Sequence, residues 1–408
     1  MIAPFRHASY MAVALVCAAT AVAQDLKIAS PSIRVIQPPA LKALINTNRV
    51  RVTLNILKNG TVAGPADEKA LSDYYGAHIA LFNVPENLTA LPRIRADIRR
   101  DLLTASKAPM KAAHTWMTTF LLKESQALAA DEKSTMPARV NGLLLLAYLN
   151  ATEATDRTDA VPHPGALAAL SKIYADAKTP PGLRVVALKG LVRHANMGIA
   201  DKAVAAKAQA EMLATLKNKT VPKNVSPEAH EWFRRLATSA LGGLGAPGAS
   251  AGEIDVLEAV FDVLAEENAS IGFRADAVRN LGRFDYKNAG SINHPLMAHR
   301  VGSFLADILA PPKDVSKEKV IRDGGTILHY IECARTALNG AGTQPGGIAA
   351  AAGGDNFVAQ LNKQINNLYD AVTKRGVKEE DVPAIAETAG GDLRNLLDAN
   401  PPAKATLK

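Results

Sequence analysis

Apolar residues recur at three- and four-residue steps over most of this chain, the spacing that buries one stripe of an α-helix. From Asp67 onward Leu71, Tyr74, Tyr75, His78, Ile79 and Phe82 follow it, and Val84-Pro85-Glu86 breaks the run. Ile94, Ile98 and Leu102 form a second stripe; Ala112, Trp116 and Phe120 form a third, set apart by Lys107-Ala-Pro109. The pattern predicts further helices over Leu167 to Ala177, Ala205 to Leu216 and Ile254 to Ala265. Another carries Phe357, Leu361, Ile365, Leu368 and Val372 on one face, and a short one spans Val382 to Leu397 before a Pro-Pro tail. Residues 24–66 differ. Pro31, Pro38 and Pro39 interrupt any helix, while Arg49 to Leu57 alternates and ends in Asn59-Gly60. That predicts a strand or hairpin arm, or an extended segment laid along the first helices.

Between these stripes one short signature repeats: an Arg, a small residue three positions on, and a Leu seven on. It comprises Arg139, Gly142 and Leu146; Arg184, Ala187 and Leu191; Arg234, Ala237 and Leu241; and Arg274, Ala277 and Leu281. The arginines are 45, 50 and 40 residues apart. That spacing suits one helical hairpin per unit, and such units bury an apolar face only by stacking on their neighbours. In each unit the signature opens the second helix, behind a turn marked by Pro137, Pro180-Pro181-Gly182, Pro227 or Ser270-Ile-Gly272. The small residue lets helices approach closely, and the Leu fills the groove between units.

The pattern resembles HEAT and armadillo-like repeats, whose second helix opens with Val-Arg and continues through spaced alanines to Ala-Leu-Gly. Leu183 to Leu188, Arg234 to Gly242 and Arg274 to Gly282 carry the resemblance, which covers residues 137–284 well and 67–338 loosely. The usual turn Asp is absent, and the spacing wanders. Leu71-Ser-Asp-Tyr-Tyr75 to Leu102, with Pro85-Glu-Asn-Leu88 and Leu91-Pro92, is similar to secreted bacterial repeat proteins such as those of planctomycetes. Neither resemblance implies an activity. The expected fold is all-α: an α-solenoid of HEAT-like helix pairs over 67–338, preceded by the irregular arm at 24–66. A flexible Gly/Ala-rich loop at 339–356 and capping helices at 357–408 follow.

The first 23 residues read as a cleaved signal peptide, with Arg6 and His7, an apolar stretch from Met11 to Ala19, and Ala21-Val-Ala23 before Gln24. This places the mature chain outside the cytoplasm, periplasmic or secreted, with no membrane span after the leader. Of the two cysteines, Cys17 belongs to the leader, so Cys333 has no internal partner and is expected as a small buried residue. The net charge of +8 favours acidic polysaccharide or an anionic membrane surface over nucleic acid. Aromatics at 5% are too few for the stacking platforms of single-strand binders. Six Asn-x-Ser/Thr triplets begin at Asn59, Asn87, Asn150, Asn218, Asn224 and Asn268, and in a bacterial chain they read as chance.

Several motifs match on spelling and fail on context. Gly243, Gly245 and Gly248 spell G-x-G-x-x-G, but they end a helix instead of following a strand. Ser250 lies in a G-x-S-x-G with nothing strand-like before it. Ser316-Lys-Glu-Lys319 lacks the other elements of its enzyme class, and His294 and His299 do not share a helical face. No catalytic, cofactor or metal residue is assigned. The expected function is a non-enzymatic binding or scaffold protein that recognises a protein partner through Arg184, Arg193, Arg234, Arg235, Arg274, Arg279 and Trp232. The alternatives are an envelope polysaccharide hydrolase or lyase built from scattered carboxylates, and a structural subunit of an envelope assembly.

Overall fold

The computed structural model describes residues 35–223, 225–310, 323–341 and 346–408. The targeting segment and Ser316 to Lys319 lie outside them. The fold is all-α, and two compact units divide at Met110. Among the described residues no helix is long and apolar enough to cross a membrane.

The first unit contains α1 (Pro39–Leu44), α2 (Thr47–Asn59), α3 (Pro65–Ala80), two short 3-10 turns and α4 (Leu91–Lys107). Leu57, Leu71, Tyr75, Phe82, Ile94 and Ile98 form its core. Asn87 is wholly buried, which rules out a glycan there in the folded state. Its Oδ1 accepts from the Ile36 amide at 2.7 Å, and its Nδ2 donates to the Ile36 carbonyl at 2.9 Å, so one amide holds the incoming chain. The alternation at Arg49 to Leu57 does not form a strand: it lies within α2. Asn46 caps that helix by accepting from Arg49 N–H, and Gly60 ends it at φ +73°. Between such start and stop signals the residues bury Thr53, Ile56 and Leu57 at helical spacing. Alternating Val50, Val52, Leu54 and Ile56 fits that stripe nearly as well as a strand face, and the caps decide the matter.

The second unit is a succession of helix pairs packed neighbour to neighbour. They are α5 (Ala112–Ala130) with α6 (Met136–Ala147), α7 (Pro164–Ala175) with α8 (Pro181–Met197), α9 (Lys202–Lys217) with α10 (Pro227–Leu244), and α11 (Asp255–Asp262) with α12 (Ile271–Leu281). The turn prolines occupy the first helical positions of α6, α7, α8 and α10, where no amide donor is missed. Thr135, Ser226 and Ser270 cap the second helices beside them by accepting first-turn amides. Second helices pack on one another in the order α6, α8, α10, α12. The small and Leu positions of all four signatures are buried between them. A two-stranded hairpin, β1 (Asn150–Thr152) with β2 (Val161–Pro162), is inserted after α6.

From α13 (His294–Leu309) the arrangement changes. α14 (Gly324–Asn339) continues the line of second helices by packing on α12. The five-residue α15 (Gly347–Ala351) follows, with Ile348 fully buried inside the stretch expected as a flexible loop. α16 (Asn356–Thr373) and α17 (Val382–Ala399) pack against α13 and α14. The α16 stripe of Val358, Leu361, Ile365, Leu368 and Val372 is buried. The tail returns to the start of α13, where the Leu407 carbonyl accepts from Asn293 N–H at 2.8 Å.

The glycine run from Gly242, which includes the G-x-G-x-x-G spelling, packs helices closely. A Cβ on Gly242 would lie 2.2 Å from Asn280 Oδ1 and 2.8 Å from its Cβ, and one on Gly243 would lie 2.4 Å from Asn196 Oδ1. Gly245 adopts φ +72° and ends α10. Gly76, inside α3, has nothing within 4 Å of the place a Cβ would take. Gly242→Ala is therefore expected to lower stability by about 1–3 kcal/mol through overpacking. Gly76→Ala is expected to raise it by about 0.5–1 kcal/mol through helix propensity. Urea unfolding of the two variants checks both signs.

Candidate binding face

The repeated arginines are internal fastenings. Arg139 Nε donates to the Ala129 carbonyl, Arg184 Nε to that of Tyr174 and Arg234 Nε to that of Leu216, each at 2.9 Å. Each acceptor lies in the last turn of the first helix of the same pair, where carbonyls lack helical partners and the dipole favours a cation. The guanidinium then stacks forward onto the next pair: Arg184 lies 5.4 Å from the Phe233 ring and Arg234 lies 5.0 Å from that of Phe273. Arg234 is buried and also forms a two-pronged pair with Glu266, at 2.8 and 2.7 Å. Burial alone would raise the Glu266 carboxyl, but hydrogen bonds and charge from Arg234 and Lys219 bring it below the usual range. Arg274 departs from the series, its Nε buried without a partner.

Arg193 is also bound internally. Its Nη1 donates to the Ala147 carbonyl at 3.2 Å, and its Nη2 to Asn150 Oδ1 at 2.5 Å, where the hairpin leaves α6. Asn150 passes the interaction on by donating to Glu153 at 2.6 Å, and Glu153 lies 3.8 Å from His114 Nε2. His194 closes this region from α8. It is buried and its Nε2 has no hydrogen-bond partner. Burial first, then the charges of Arg193 and His163, push its pKa down to about 4. Asn150 is too buried to carry a glycan in the folded state.

The other candidates meet on one face of the second helices α10, α12 and α14. Arg235 donates through Nε to Asp276 Oδ2 at 2.8 Å, with Nη2 at 2.7 Å from the same oxygen, tying α10 to α12. Trp232, half-buried one turn earlier, lies 5.0 Å below the Arg235 guanidinium. Glu231 accepts from Ser270 N–H at 3.0 Å and from its hydroxyl at 2.5 Å, placing an acid at the N-terminus of α12. The charges of Asp276, Arg279, Glu332 and Arg235 all reach His329 on α14. Arg335, exposed on α14, lies 4.3 Å from the Tyr369 ring and donates to Asn366 Oδ1 at 3.0 Å, which carries the line onto α16. Trp232, Arg235 and Arg279 lie on helices that carry the signature, whereas Tyr330, near enough to feel the charges of Arg235 and Asp276, Arg335 and Tyr369 lie on helices that lack it.

Elsewhere the chemistry is structural. Cys333 is buried, and burial raises its thiol to about 12, so the nucleophilic thiolate is strongly disfavoured. Ser250 lies exposed in the turn after α10. In the first unit burial raises the Asp101 carboxyl, which accepts from Tyr75 Oη at 3.1 Å, while Asp97 pairs with Arg100 at 2.9 Å. Among the described residues no three His, Cys, Asp or Glu side chains are placed to hold a metal ion.

No family model matches the chain, and no curated protein or solved structure matches it either.

Replacing Arg234 with Ala removes a buried cation, takes the donor from the Leu216 carbonyl and leaves Glu266 paired with Lys219. A loss of about 3 kcal/mol is expected in chemical unfolding. Acid acts through His194, whose folded pKa lies below its ordinary value, so the unfolded chain binds the extra proton first. The stability it supplies is complete above about pH 6.5 and is lost as the pH falls to about 4, for a loss of roughly 3 kcal/mol. In His194→Gln the dependence of unfolding free energy on pH should be shallower over that window. An unchanged slope would assign the acid sensitivity to other groups.

Proposed function

We propose that the chain is a binding or scaffold protein, built on HEAT-like repeats and acting outside the cytoplasm, that holds a protein partner on the face of α10, α12, α14 and α16. One observation carries this reading: aromatic and arginine side chains gather along that face while its ion pairs close internally. Trp232, Tyr330, Arg335 and Tyr369 are of the types that dominate interface energetics. Arg235 is held by Asp276, and Arg335 by Asn366 and the Tyr369 ring, so both are ordered before a partner arrives. Arg184, Arg193 and Arg234 support the face by fixing the register of the helices behind it.

The test is capture from the envelope of the producing cell with the full mature chain and with a Trp232→Ala, Arg335→Ala double variant. The expected result is one protein companion in stoichiometric amount, its retention reduced tenfold or more in the double variant, as loss of two hot-spot side chains implies. Circular dichroism confirms that the variant stays helical. Equal retention by both forms would remove this face from the binding site. Recovery of a saccharide alone would shift the reading to polysaccharide recognition.

A further inference from the structure

Arg283 stands nine residues after the signature Arg274, the register that Arg193 holds after Arg184. The two positions differ in how the cation is balanced. Arg193 bonds Asn150, and Asn150 leads directly to the Glu153 carboxylate. Arg283 donates through Nη2 to Asn196 Oδ1 at 2.6 Å and through Nη1 to Asn280 Oδ1 at 3.4 Å, both neutral amides. Asn280 in turn donates to the Asp276 backbone carbonyl. The Arg283 Nε is buried without a hydrogen-bond partner. One turn earlier Arg279 is exposed, and among the described residues no ion pair joins either arginine to a carboxylate. Of the nearby acids, Asp276 on α12 is already bound by Arg235 at 2.7 Å, and Asp285 accepts from Lys287 N–H at 3.2 Å. Burial, with the charge of Arg279 beside it, lowers the Arg283 pKa.

A half-buried guanidinium held by amides, with its Nε buried and unbonded and a second arginine one turn earlier, is a cation with no carboxylate paired to it among the described residues. Leaving it so costs free energy that an arriving oxyanion recovers. We propose that Arg279 and Arg283 form an oxyanion site that receives a carboxylate from an acidic segment of the partner. Arginine forks match planar carboxylates bidentately, and the amide contacts to Arg283 fix its fork before the ligand arrives. Carboxylate and phosphate share this geometry. An acidic peptide is favoured because the aromatic rings of Trp232 on α10, Tyr330 on α14 and Tyr369 on α16 offer apolar contacts that an isolated phosphate cannot use. This inference rests on the binding reading above and adds the chemistry of the partner to it.

The test is thermal unfolding of the full mature chain at fixed ionic strength with a hexaglutamate peptide, with inorganic phosphate, and with sodium chloride alone. Peptide about tenfold above its dissociation constant is expected to raise Tm by about 2 °C or more over the chloride control. Arg279→Gln, a substitution at an exposed position, is expected to weaken that apparent affinity at least tenfold. No saturable rise with peptide, or an equal rise in Arg279→Gln, would overturn the site. Saturation by phosphate without any response to peptide would overturn the peptide assignment and leave a small-oxyanion site. Failure here with capture of a protein companion intact would remove only the acidic chemistry, while loss of both would remove the binding face itself.

Discussion

Every stacked helix pair has to end its first helix beside protein, where the last carbonyls have no helical donor. The second unit meets that constraint with one side chain. The signature arginine bonds a terminal carbonyl of its own pair, and in two of the four cases its guanidinium lies against the aromatic ring that precedes the next signature arginine. One residue thereby links the two helices of its own pair to the following pair. The small residue three positions on and the Leu seven on then set how closely the helices approach. This explains why the spacing of the signature can wander. Arg139 and Arg184 reach back ten residues and Arg234 reaches back eighteen, yet the bond length stays at 2.9 Å. The extra residues lie in the turn between the helices, and the register of the stack does not depend on them.

Where the fastening lapses, the architecture changes. The helix preceding α12 is short and ends in a 3-10 turn, and Arg274 finds no acceptor for its Nε. Beyond α12 the regular alternation of pairs gives way to α13, α14, α16 and α17 packed against one another. The proposed binding face crosses this junction, from Trp232 on α10 to Tyr369 on α16. Arg139, Arg184 and Arg234 are bound to backbone carbonyls; Arg234 also pairs with the carboxylate of Glu266, and Arg235 with that of Asp276. At and past α12 three arginines are placed differently: Arg335 lies on a tyrosine, Arg279 is exposed, and Arg283 is held by amides.

Much of the fold was legible because it rests on periodicity. The amphipathic stripes placed most helices, and the buried small and Leu positions follow directly from the signature. The arginines were legible as a pattern but not as a role. Their acceptors are backbone carbonyls, which carry no residue identity, so nothing in the text marks what Arg184 or Arg234 touches. The Arg49 to Leu57 segment misleads for another reason: four alternating apolar residues satisfy two periods at once, and Asn46 and Gly60 are the signals that separate them. The face proposed for binding draws only partly on residues that the signature marks. Trp232, Arg235 and Arg279 fall within signature helices, whereas Arg335 and Tyr369 are brought to the same line only by the packing of α14 and α16. The network of Asn150, Glu153, His114 and Arg193 draws on residues 79 positions apart at its extremes, with an inserted hairpin between them.

The two uses of arginine divide stability from recognition on energetic grounds. Burying Arg234 with Glu266 returns little net stability, because desolvation of both ions offsets most of their attraction. What the pair is expected to add is discrimination, since a slipped register would leave the Arg234 cation without Glu266 in a poorly hydrated place. Arg283 is already in the condition that the Arg234–Glu266 pair avoids. Its amide neighbours orient it without neutralising it, so the folded chain carries a standing electrostatic cost at the edge of the face. A framework whose register is fixed by Arg139, Arg184 and Arg234 tolerates others, Arg274 and Arg283, whose Nε is left unbonded. Such a cost stabilises nothing in the free protein, and in the proposal above a negatively charged ligand relieves it.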